Sequence, residues 1–367
     1  MDKLKILIAE HSVLYRKHIT DLVDSTEYGK VIHTASNSQI ALEWLEQDST
    51  DVFLLDSYLL LECGVDVITK IRMKHPLLEI IMMSDKDPAY SAITLDALNL
   101  GAMDFFIKPD IDGMQLSSTI KNKLDAIFAQ IKVRRFLPHH SAFKNISLRP
   151  VGNDDSSIVT PIVKARSKHL VGTIDLVVIA SSTGGPVALD VVCRHLPVNF
   201  NKPVLVVQHM PPGFTKVLAD ALDKKCHMHI REAENGDQVI AGQMMIAPGG
   251  FHMELEQTDN IKTNVKLTDT PYVNGVKPAA DILFRSVSDL YRGKNILAVV
   301  MTGMGNDGLN GIRALKESSN CYCITQSENT CVVYGMPKCV DDAHLSDESV
   351  DLADIANRMS QICLGGL

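Results

Sequence analysis

The stretch Asp175-Leu-Val-Val-Ile-Ala-Ser-Ser-Thr-Gly-Gly-Pro186 decides the fold of the C-terminal half of this chain. Its apolar run is typical of a strand that is buried on both faces, as strands of parallel sheets are. The two glycines predict a tight turn after the strand, and Pro186 suits the first turn of a following helix. The segment therefore predicts one strand–turn–helix unit of an α/β domain.

Similar units continue on both sides of this segment. The periodicity fades only at residues 136–172, which are rich in polar residues and proline and are interpreted as a linker. Two α/β domains are therefore predicted, at residues 1–135 and 173–367. Upstream strands are predicted at Leu4–Ala9, Val31–Ala35, Val52–Leu55, Ile80–Met83 and Asp104–Ile107, with a fifth helix over about Ile111–Arg135. Downstream strands are predicted at Pro203–Val207, Met244–Ala247 and Ile296–Met301, with helices at Val187–Leu196, Ala279–Tyr291 and Val350–Ile362.

Composition excludes several classes of protein. The 367 residues are 46% hydrophobic and 22% charged, which is typical of a globular chain. The net charge is -8 without a basic stripe, so nucleic acid is not an expected partner. We expect no signal peptide, no membrane insertion and a cytoplasmic location. The eight cysteines include no CxxC pair, so they are expected to be reduced thiols.

Three predicted strand ends carry the residue types of acyl-transfer chemistry. The first is followed by the hydroxyls of residues 181–183, the second by His209, and a later one by Asp307 in a glycine-rich turn. Because such ends meet at one edge of a parallel sheet, a nucleophile, a base and an orienting carboxylate are expected to lie together. Each of these groups alone also fits a plainer role. The hydroxyls at 181–183 could cap a helix or hold a phosphate, His209 could be a structural histidine, and Asp307 could cap a helix after a turn.

Six segments in the C-terminal half resemble the catalytic domain of the chemotaxis protein-glutamate methylesterases, the CheB family. They cover nearly all of residues 174–343 in the family's order. The segments are Ala180-Ser-Ser-Thr-Gly-Gly-Pro186, Gln208-His-Met-Pro-Pro-Gly-Phe-Thr215, Ala247-Pro-Gly-Gly-Phe-His-Met253, Val273-Asn-Gly-Val-Lys-Pro278, Met301-Thr-Gly-Met-Gly-Asn-Asp-Gly308 and Cys331-Val-Val-Tyr-Gly-Met-Pro337.

The resemblance implies a doubly wound, mostly parallel α/β methylesterase domain with a Ser-His-Asp triad. It places the nucleophile on Ser182, the base on His209 and the orienting carboxylate on Asp307. Backbone N–H groups near Thr183 and Met304 would hold the oxyanion. The implied reaction is hydrolysis of glutamate methyl esters on methyl-accepting chemoreceptors, in some members with deamidation of receptor glutamines. It implies no catalytic cofactor.

The N-terminal half is similar to a flavodoxin-like response-regulator receiver domain, although it diverges. The resemblance places the phosphoacceptor on Asp56, the switch hydroxyl on Ser84 and the phosphate-pairing lysine on Lys108. It also implies Mg²⁺ held by Asp56 and Glu10. His11, however, stands where the family has its main metal carboxylate, and Mg²⁺ prefers oxygen ligands.

Two hypotheses for the N-terminal half stay open. In the first, a histidine kinase phosphorylates Asp56 although the magnesium site is weakened. In the second, the domain is not phosphorylated and regulates by docking alone. For the whole chain, the main hypothesis is a receptor methylesterase regulated by its receiver domain, expected as a monomer. The alternative is a catalytically weak signalling scaffold whose degenerate receiver works without phosphorylation. A phosphate- or nucleotide-binding domain is disfavoured, because the chain lacks GxxxxGK[ST], and no GxGxxG follows the strand at 175–180.

Overall fold

The structure, a computed structural model, describes residues 2–108, 114–136, 173–258 and 262–365. The chain forms two compact units. One contains the chain up to Arg135 together with Met210–Ala221, and the other contains the rest of the described residues. The predicted linker at 136–172 lies, apart from Phe136, outside the described residues, so the predicted domain boundaries stay a prediction. No helix within the described ranges combines the length and apolar character needed to cross a bilayer.

The N-terminal unit contains a five-stranded parallel sheet in the order β2-β1-β3-β4-β5. Its strands are β1 (Leu4–Ala9), β2 (Gly29–Ala35), β3 (Val52–Asp56), β4 (Glu79–Ser84) and β5 (Asp104–Ile107). Its helices are α1 (Val13–Asp24), α2 (Ser38–Gln47), α3 (Ser57–Cys63), α4 (Asp66–Lys74), α5 (Pro88–Asn99) and α6 (Met114–Phe136).

All five predicted strands of this unit are confirmed. The apolar runs of β1, β3, β4 and β5 are mostly buried, as parallel strands require, whereas β2 lies at one edge of the sheet and is half-buried. Helix α3 was not predicted. It begins directly after β3, where the Asp56 side chain accepts a hydrogen bond from the N–H of Tyr58 and so caps the helix. The predicted fifth helix corresponds to α6, and residues 111–113 of that prediction lie outside the described residues.

The C-terminal unit contains a seven-stranded parallel sheet and a two-stranded antiparallel hairpin, as the predicted mostly parallel class requires. The sheet order is β14-β13-β12-β6-β7-β9-β8. The sheet strands are β6 (Leu176–Ser181), β7 (Val204–Gln208), β8 (His229–Glu232), β9 (Gln243–Ile246), β12 (Asn295–Val300), β13 (Asn320–Gln326) and β14 (Glu348–Val350). The hairpin is β10 (His252–Thr258) and β11 (Lys262–Thr268).

The three helices predicted above, at 187–196, 279–291 and 350–362, are all present in the C-terminal part of the chain, and the helix at Met336–Asp342 was not predicted. The predicted helix at 350–362 begins later than expected, because Glu348–Val350 pairs with the sheet as β14. The helices are α7 (Gly185–His195), α8 (Phe214–Asp223), α9 (Ala280–Leu290), α10 (Leu309–Ser318), α11 (Met336–Asp342) and α12 (Leu352–Ser360), the last followed by a π-helical turn at Gln361–Gly365.

The order of the strands places one crevice at the middle of the seven-stranded sheet. The chain leaves β6 toward β7 on one side, and later returns to β12 on the other side of β6. Such a reversal opens a crevice at the carboxyl ends of the strands, which is where open α/β sheets bind ligands. Strands β6, β7 and β12 are fully buried, so the residues that follow them are carried by a rigid core.

Candidate functional site

The structure brings the loops that follow β6, β7 and β12 together at this crevice. Ser181 pairs with Gln208 across β6 and β7, and the N–H of His209 donates to the Ser181 carbonyl at 3.0 Å. On the other side, the N–H of Ser182 donates to the Thr302 carbonyl at 3.0 Å. The three predicted strand ends therefore meet, as the sequence indicated.

The turn that carries Ser182 is tightly packed and depends on glycine. Gly184 has a φ of 75°, in the left-handed region that favours glycine. Gly303 lies against Ser182, because a Cβ at this position would stand 2.8 Å from the Cβ of Ser182 and 2.4 Å from Sδ of Met336. The loop after β12 therefore fixes the position of the Ser182 side chain.

His209 and Asp307 form the closest polar contact of the crevice. The Nε2 atom of His209 lies 2.7 Å from Oδ2 of Asp307, and the two side chains are only 8% and 3% exposed. Because a carboxylate can only accept hydrogen bonds, Nε2 of His209 carries the proton and Nδ1 is the unprotonated nitrogen. Among the described residues, neither Nδ1 of His209 nor Oγ of Ser182 makes a hydrogen bond.

Asp307 is held by four donors, two on each oxygen. Oδ2 accepts from His209 and from the N–H of Ala280 at 2.5 Å. Oδ1 accepts from Nδ2 of Asn274 at 2.8 Å and from the N–H of Asp281 at 3.1 Å. Burial raises the pKa of Asp307, but the hydrogen bonds from His209, Ala280 and Asn274 outweigh it, so the pKa lies below its usual value. The carboxylate is therefore ionised and fixed in orientation.

Asn274 and Asp281 are functional residues that sequence reasoning missed. The Asn274 amide bridges two buried carboxylates, since the same Nδ2 also donates to Oδ2 of Asp281 at 2.9 Å. Asp281 in turn accepts from the N–H groups of Gly308 and Gly311 at 3.1 and 2.7 Å. It therefore ties the Asp307 loop to the start of α10. The signals in the sequence were the segment at 273–278, which carries part of the resemblance, and its Asn-Gly pair, whose turn places Asn274 at a φ of 54°.

Gln208 is a third missed residue, and it joins the loops that carry Ser182 and His209. Its Oε1 accepts from Oγ of Ser181 at 2.6 Å, and its Nε2 donates to the carbonyls of Ser182 and His209 at 3.0 and 3.2 Å. Gly185 leaves room for this amide, because a Cβ there would lie 2.0 Å from its Oε1. The segment carrying Gln208 was recognised, but not this role.

The predicted oxyanion residues Thr183 and Met304 lie in the two loops that flank Ser182. Within the described part of the chain, the N–H groups of both residues donate no hydrogen bond. The backbone carbonyl of Thr183 is tied to Oγ1 of Thr302 at 2.9 Å, which fixes the peptide planes of this turn. Both N–H groups are therefore uncommitted donors in the loops that flank Ser182.

The N-terminal unit has its own cluster of charged side chains at the carboxyl ends of β1, β3 and β5. Nζ of Lys108 lies 3.0 Å from Oδ1 of Asp56, 3.3 Å from Oε2 of Glu10 and 2.9 Å from Oδ2 of Asp85. Burial lowers the pKa of Lys108, but the charges of Asp56 and Glu10 outweigh it and raise the pKa above its usual value. Burial, and then the charge of Asp56, raises the pKa of Glu10.

His11 and Ser84 occupy distinct places in relation to this cluster. Nδ1 of His11 lies 2.6 Å from Oδ2 of Asp56 and 3.2 Å from Oε1 of Glu10, so an imidazole stands among the carboxylates. This donor set does not match the all-oxygen coordination that Mg²⁺ prefers. Ser84 is buried at the end of β4, where its hydroxyl donates to the Asp85 carbonyl at 3.2 Å and accepts from Thr94 at 3.0 Å.

Comparison with known proteins agrees with both halves of this description. A model of the CheB methylesterase family matches residues 177–359, and a model of the response regulator receiver domain matches residues 6–121. The crystal structure of the Thermotoga maritima CheB methylesterase catalytic domain is 39% identical to this chain. It superposes with a TM-score of 0.50 over 52% of this chain and 100% of its own.

Two relatives match over nearly the whole chain. The protein-glutamate methylesterase/protein-glutamine glutaminase of Desulfotalea psychrophila is 34% identical over 98% of this chain and 98% of its own. The protein of the same name from Halalkalibacterium halodurans is 36% identical over 98% of this chain and 99% of its own. Because these matches extend across both units at this identity, the chain belongs to the CheB family of protein-glutamate methylesterases with an N-terminal receiver domain.

Proposed function

We propose that this protein is a serine hydrolase that removes methyl groups from glutamate methyl esters of chemoreceptors. The observation that carries the proposal is the His209–Asp307 pair, buried and 2.7 Å apart at the strand end beside Ser182. The names of the relatives give the same activity. The alternative of a catalytically weak scaffold lacks such support, because Ser182, His209 and Asp307 all follow strands whose ends meet at one crevice.

The first half of the reaction forms an acyl-enzyme. Oγ of Ser182 attacks the ester carbonyl carbon while Nδ1 of His209 takes the hydroxyl proton, since Nε2 is committed to Asp307. The imidazolium that forms is stabilised by the Asp307 carboxylate. The negative charge on the former carbonyl oxygen is held by the N–H groups of Thr183 and Met304. When the intermediate collapses, the proton passes from Nδ1 to the leaving oxygen and methanol departs.

The second half returns the enzyme to its starting state. Water loses a proton to Nδ1 of His209 as it attacks the acyl carbon, and the same N–H groups hold the second oxyanion. As the intermediate collapses, the bond between Oγ of Ser182 and the acyl carbon breaks, Nδ1 of His209 returns its proton to Oγ, and the glutamate carboxyl group is released. A glutamine side chain follows the same route with ammonia as the leaving group. The relatives' second printed name, protein-glutamine glutaminase, favours deamidation as a further activity of this site.

The N-terminal unit is proposed to regulate the esterase through Asp56. Its Oδ2 is the oxygen that accepts no N–H from the backbone, whereas Oδ1 accepts from Tyr58 and Lys108. Phosphoryl transfer to Oδ2 requires the ring of His11 to move, because Nδ1 lies 2.6 Å from that oxygen. We further propose that a histidine kinase supplies the phosphoryl group and that the protein is a monomer. We also propose a cytoplasmic location, in which the eight cysteines stay unpaired thiols.

The test is release of labelled methanol from methyl-labelled receptor membranes. Wild type should release methanol, Ser182→Ala should not, and Ser318→Ala on α10 is the matched control that should match wild type. Absence of release by wild type, or release that survives in Ser182→Ala, contradicts the esterase. Addition of a small phosphodonor with Mg²⁺ then tests regulation: stimulation that is lost in Asp56→Ala supports phosphorylation, and unchanged release supports docking alone.

A further inference from the structure

His252 is a fully buried histidine that takes no part in the mechanism described above. It is the first residue of β10, and both nitrogens of its ring are engaged. Nε2 lies 3.0 Å from the carbonyl oxygen of Pro271, and Nδ1 lies 3.1 Å from the backbone nitrogen of Ala279. Because a carbonyl only accepts and an N–H only donates, Nε2 carries the proton and Nδ1 is the acceptor. The imidazole is therefore neutral and held in one tautomer.

The two partners of His252 lie at either end of the segment 271–279, which leads into α9. A third contact joins the same two stretches of chain, since the N–H of Gly250 donates to the carbonyl of Lys277 at 3.3 Å. The loop before β10 and the imidazole together therefore hold this segment at three points along its length.

The start of α9 is capped by residues that are distant in sequence. Ala279, its N-cap residue, makes no side-chain hydrogen bond to the helix. The N–H of Ala279 donates to His252, and the next two N–H groups, of Ala280 and Asp281, donate to the two oxygens of Asp307 at 2.5 and 3.1 Å. N–H groups at a helix start have no partner within the helix, so these outside acceptors satisfy them. Three successive donors are therefore divided between the imidazole and the Asp307 carboxylate.

We propose that His252 is a positioning residue of the esterase, which acts on His209 through the start of α9. The inference rests on the proposed function, since it takes Asp307 as the carboxylate that orients the base. Nδ1 of His252 fixes the N–H of Ala279, and the two N–H groups that follow then fix the carboxylate. A displacement of about 1 Å in such a group costs about 100-fold in rate. His252 itself is fully buried, so its loss should lower kcat and leave KM unchanged.

Two variants separate the contact at Nδ1 from the rest of the side chain. His252→Leu removes both polar contacts, whereas His252→Asn places Oδ1 where Nδ1 stood and so keeps an acceptor for Ala279. In methanol release by the full-length protein, His252→Leu should lower kcat by about 10- to 100-fold with KM within about 2-fold of wild type. His252→Asn should recover kcat to within about 3-fold of wild type.

Asn295→Leu is the matched control for the loss of a buried polar side chain. Asn295 lies at the amino end of β12, away from the crevice, and its Nδ2 donates to the carbonyl of Thr173 at 3.0 Å. The control should unfold at lower urea concentration than wild type and keep its kcat. A fall in kcat that accompanies any loss of stability, in the control as in His252→Leu, would therefore contradict a positioning role.

The Nε2–H proton of His209 gives a readout that does not depend on the ester. Nuclear magnetic resonance of the full-length protein, labelled with ¹⁵N-histidine, follows its exchange with solvent, and His209→Gln assigns the signal. Exchange should be at least about 10-fold faster in His252→Leu and unchanged in His252→Asn, because only the former frees the carboxylate that holds this proton. A wild type that releases no methanol would remove the proposed function, while the exchange rates would still decide the role of His252.

Three outcomes would overturn the inference. The first is a His252→Leu protein with wild-type kcat and wild-type exchange at His209. The second is an equal loss in His252→Leu and His252→Asn, which would show that the acceptor for Ala279 is not what matters. If His252→Leu does not fold, His252→Asn decides alone, and a loss of about 10-fold or more in its kcat at native stability is the third.

Discussion

Replacement of Asp307 by asparagine tests whether the four hydrogen bonds on this carboxylate set the tautomer of the catalytic base. The change keeps the shape of the side chain but replaces one acceptor oxygen by an NH₂ donor. In the native protein, one oxygen faces two donors, His209 and Ala280, and the other faces Asn274 and Asp281. Either orientation of the new amide therefore points NH₂ at two N–H donors.

The two orientations differ in cost. If NH₂ faces Asn274 and Asp281, two buried donors lose their acceptor, at about 1–3 kcal/mol each. If NH₂ faces His209 and Ala280, the imidazole can move its proton from Nε2 to Nδ1 and accept instead. Only the N–H of Ala280 is then left without an acceptor, at about 1–3 kcal/mol in total. The second orientation is therefore favoured, and it protonates the nitrogen that should take the proton of Ser182.

We therefore expect Asp307→Asn to lose about 1–3 kcal/mol in the free energy of unfolding. Its rate of methanol release should fall by about four orders of magnitude, the size of the effect when a triad carboxylate is lost with its tautomer. Urea denaturation measures the first and labelled-methanol release the second. Asp289→Asn is the control, because its side chain is 72% exposed on α9. An Asp307→Asn protein with activity within about 10-fold of wild type would refute the tautomer argument.

Three further predictions concern the same site. Gly303→Ala should reduce methanol release by about 100-fold or more with a smaller effect on stability, because the new Cβ would lie 2.8 Å from the Cβ of Ser182. Unchanged activity would show that the loop after β12 moves aside and does not fix the position of Ser182. Asn274→Gly and Asn274→Ala should both reduce activity by about 10- to 100-fold, because both remove the amide shared by Asp281 and Asp307. Only Asn274→Ala should in addition lose about 1–2 kcal/mol of stability, because alanine is strained at a φ of 54°; a fully active Asn274→Gly would contradict the bridging role. The pKa of Asp307 is lower in the folded protein, so its contribution to stability is present above about pH 4 and is lost as the pH falls through the lower folded value. Wild type should therefore lose more stability than Asp307→Asn between about pH 5 and about pH 3 in acid titrations of unfolding. Equal losses would count against an ionised, stabilising carboxylate.

The strand–helix alternation was readable in the sequence because buried parallel strands need apolar runs. All five strands of the N-terminal unit, and β6, β7, β9 and β12 of the other, lie where such runs predict them. The hairpin of β10 and β11 was missed, because its strands are largely polar and partly exposed, so neither contains the apolar run that marked the strands of the sheet. Helix α3 was missed because it is short and begins with a cap from Asp56, a residue that was considered only for its chemistry.

The candidate triad was also readable, since Ser182, His209 and Asp307 each follow a buried strand. Strand-end position is a local property, and the sequence carries it. The sequence alone does not determine the strand order that brings β12 back beside β6, because that order depends on how distant segments pack.

The tertiary structure alone decided which atoms meet. Asn274 and Asp281 reach the carboxylate of Asp307 from a turn and a helix that lie about thirty residues before it, so no local pattern marks that contact. The same holds for the imidazole of His11, whose Nδ1 meets an oxygen of Asp56 across 45 positions of sequence. Hydrogen-bond partners and ligand sets depend on distances of a few tenths of an ångström, which packing fixes and residue order does not.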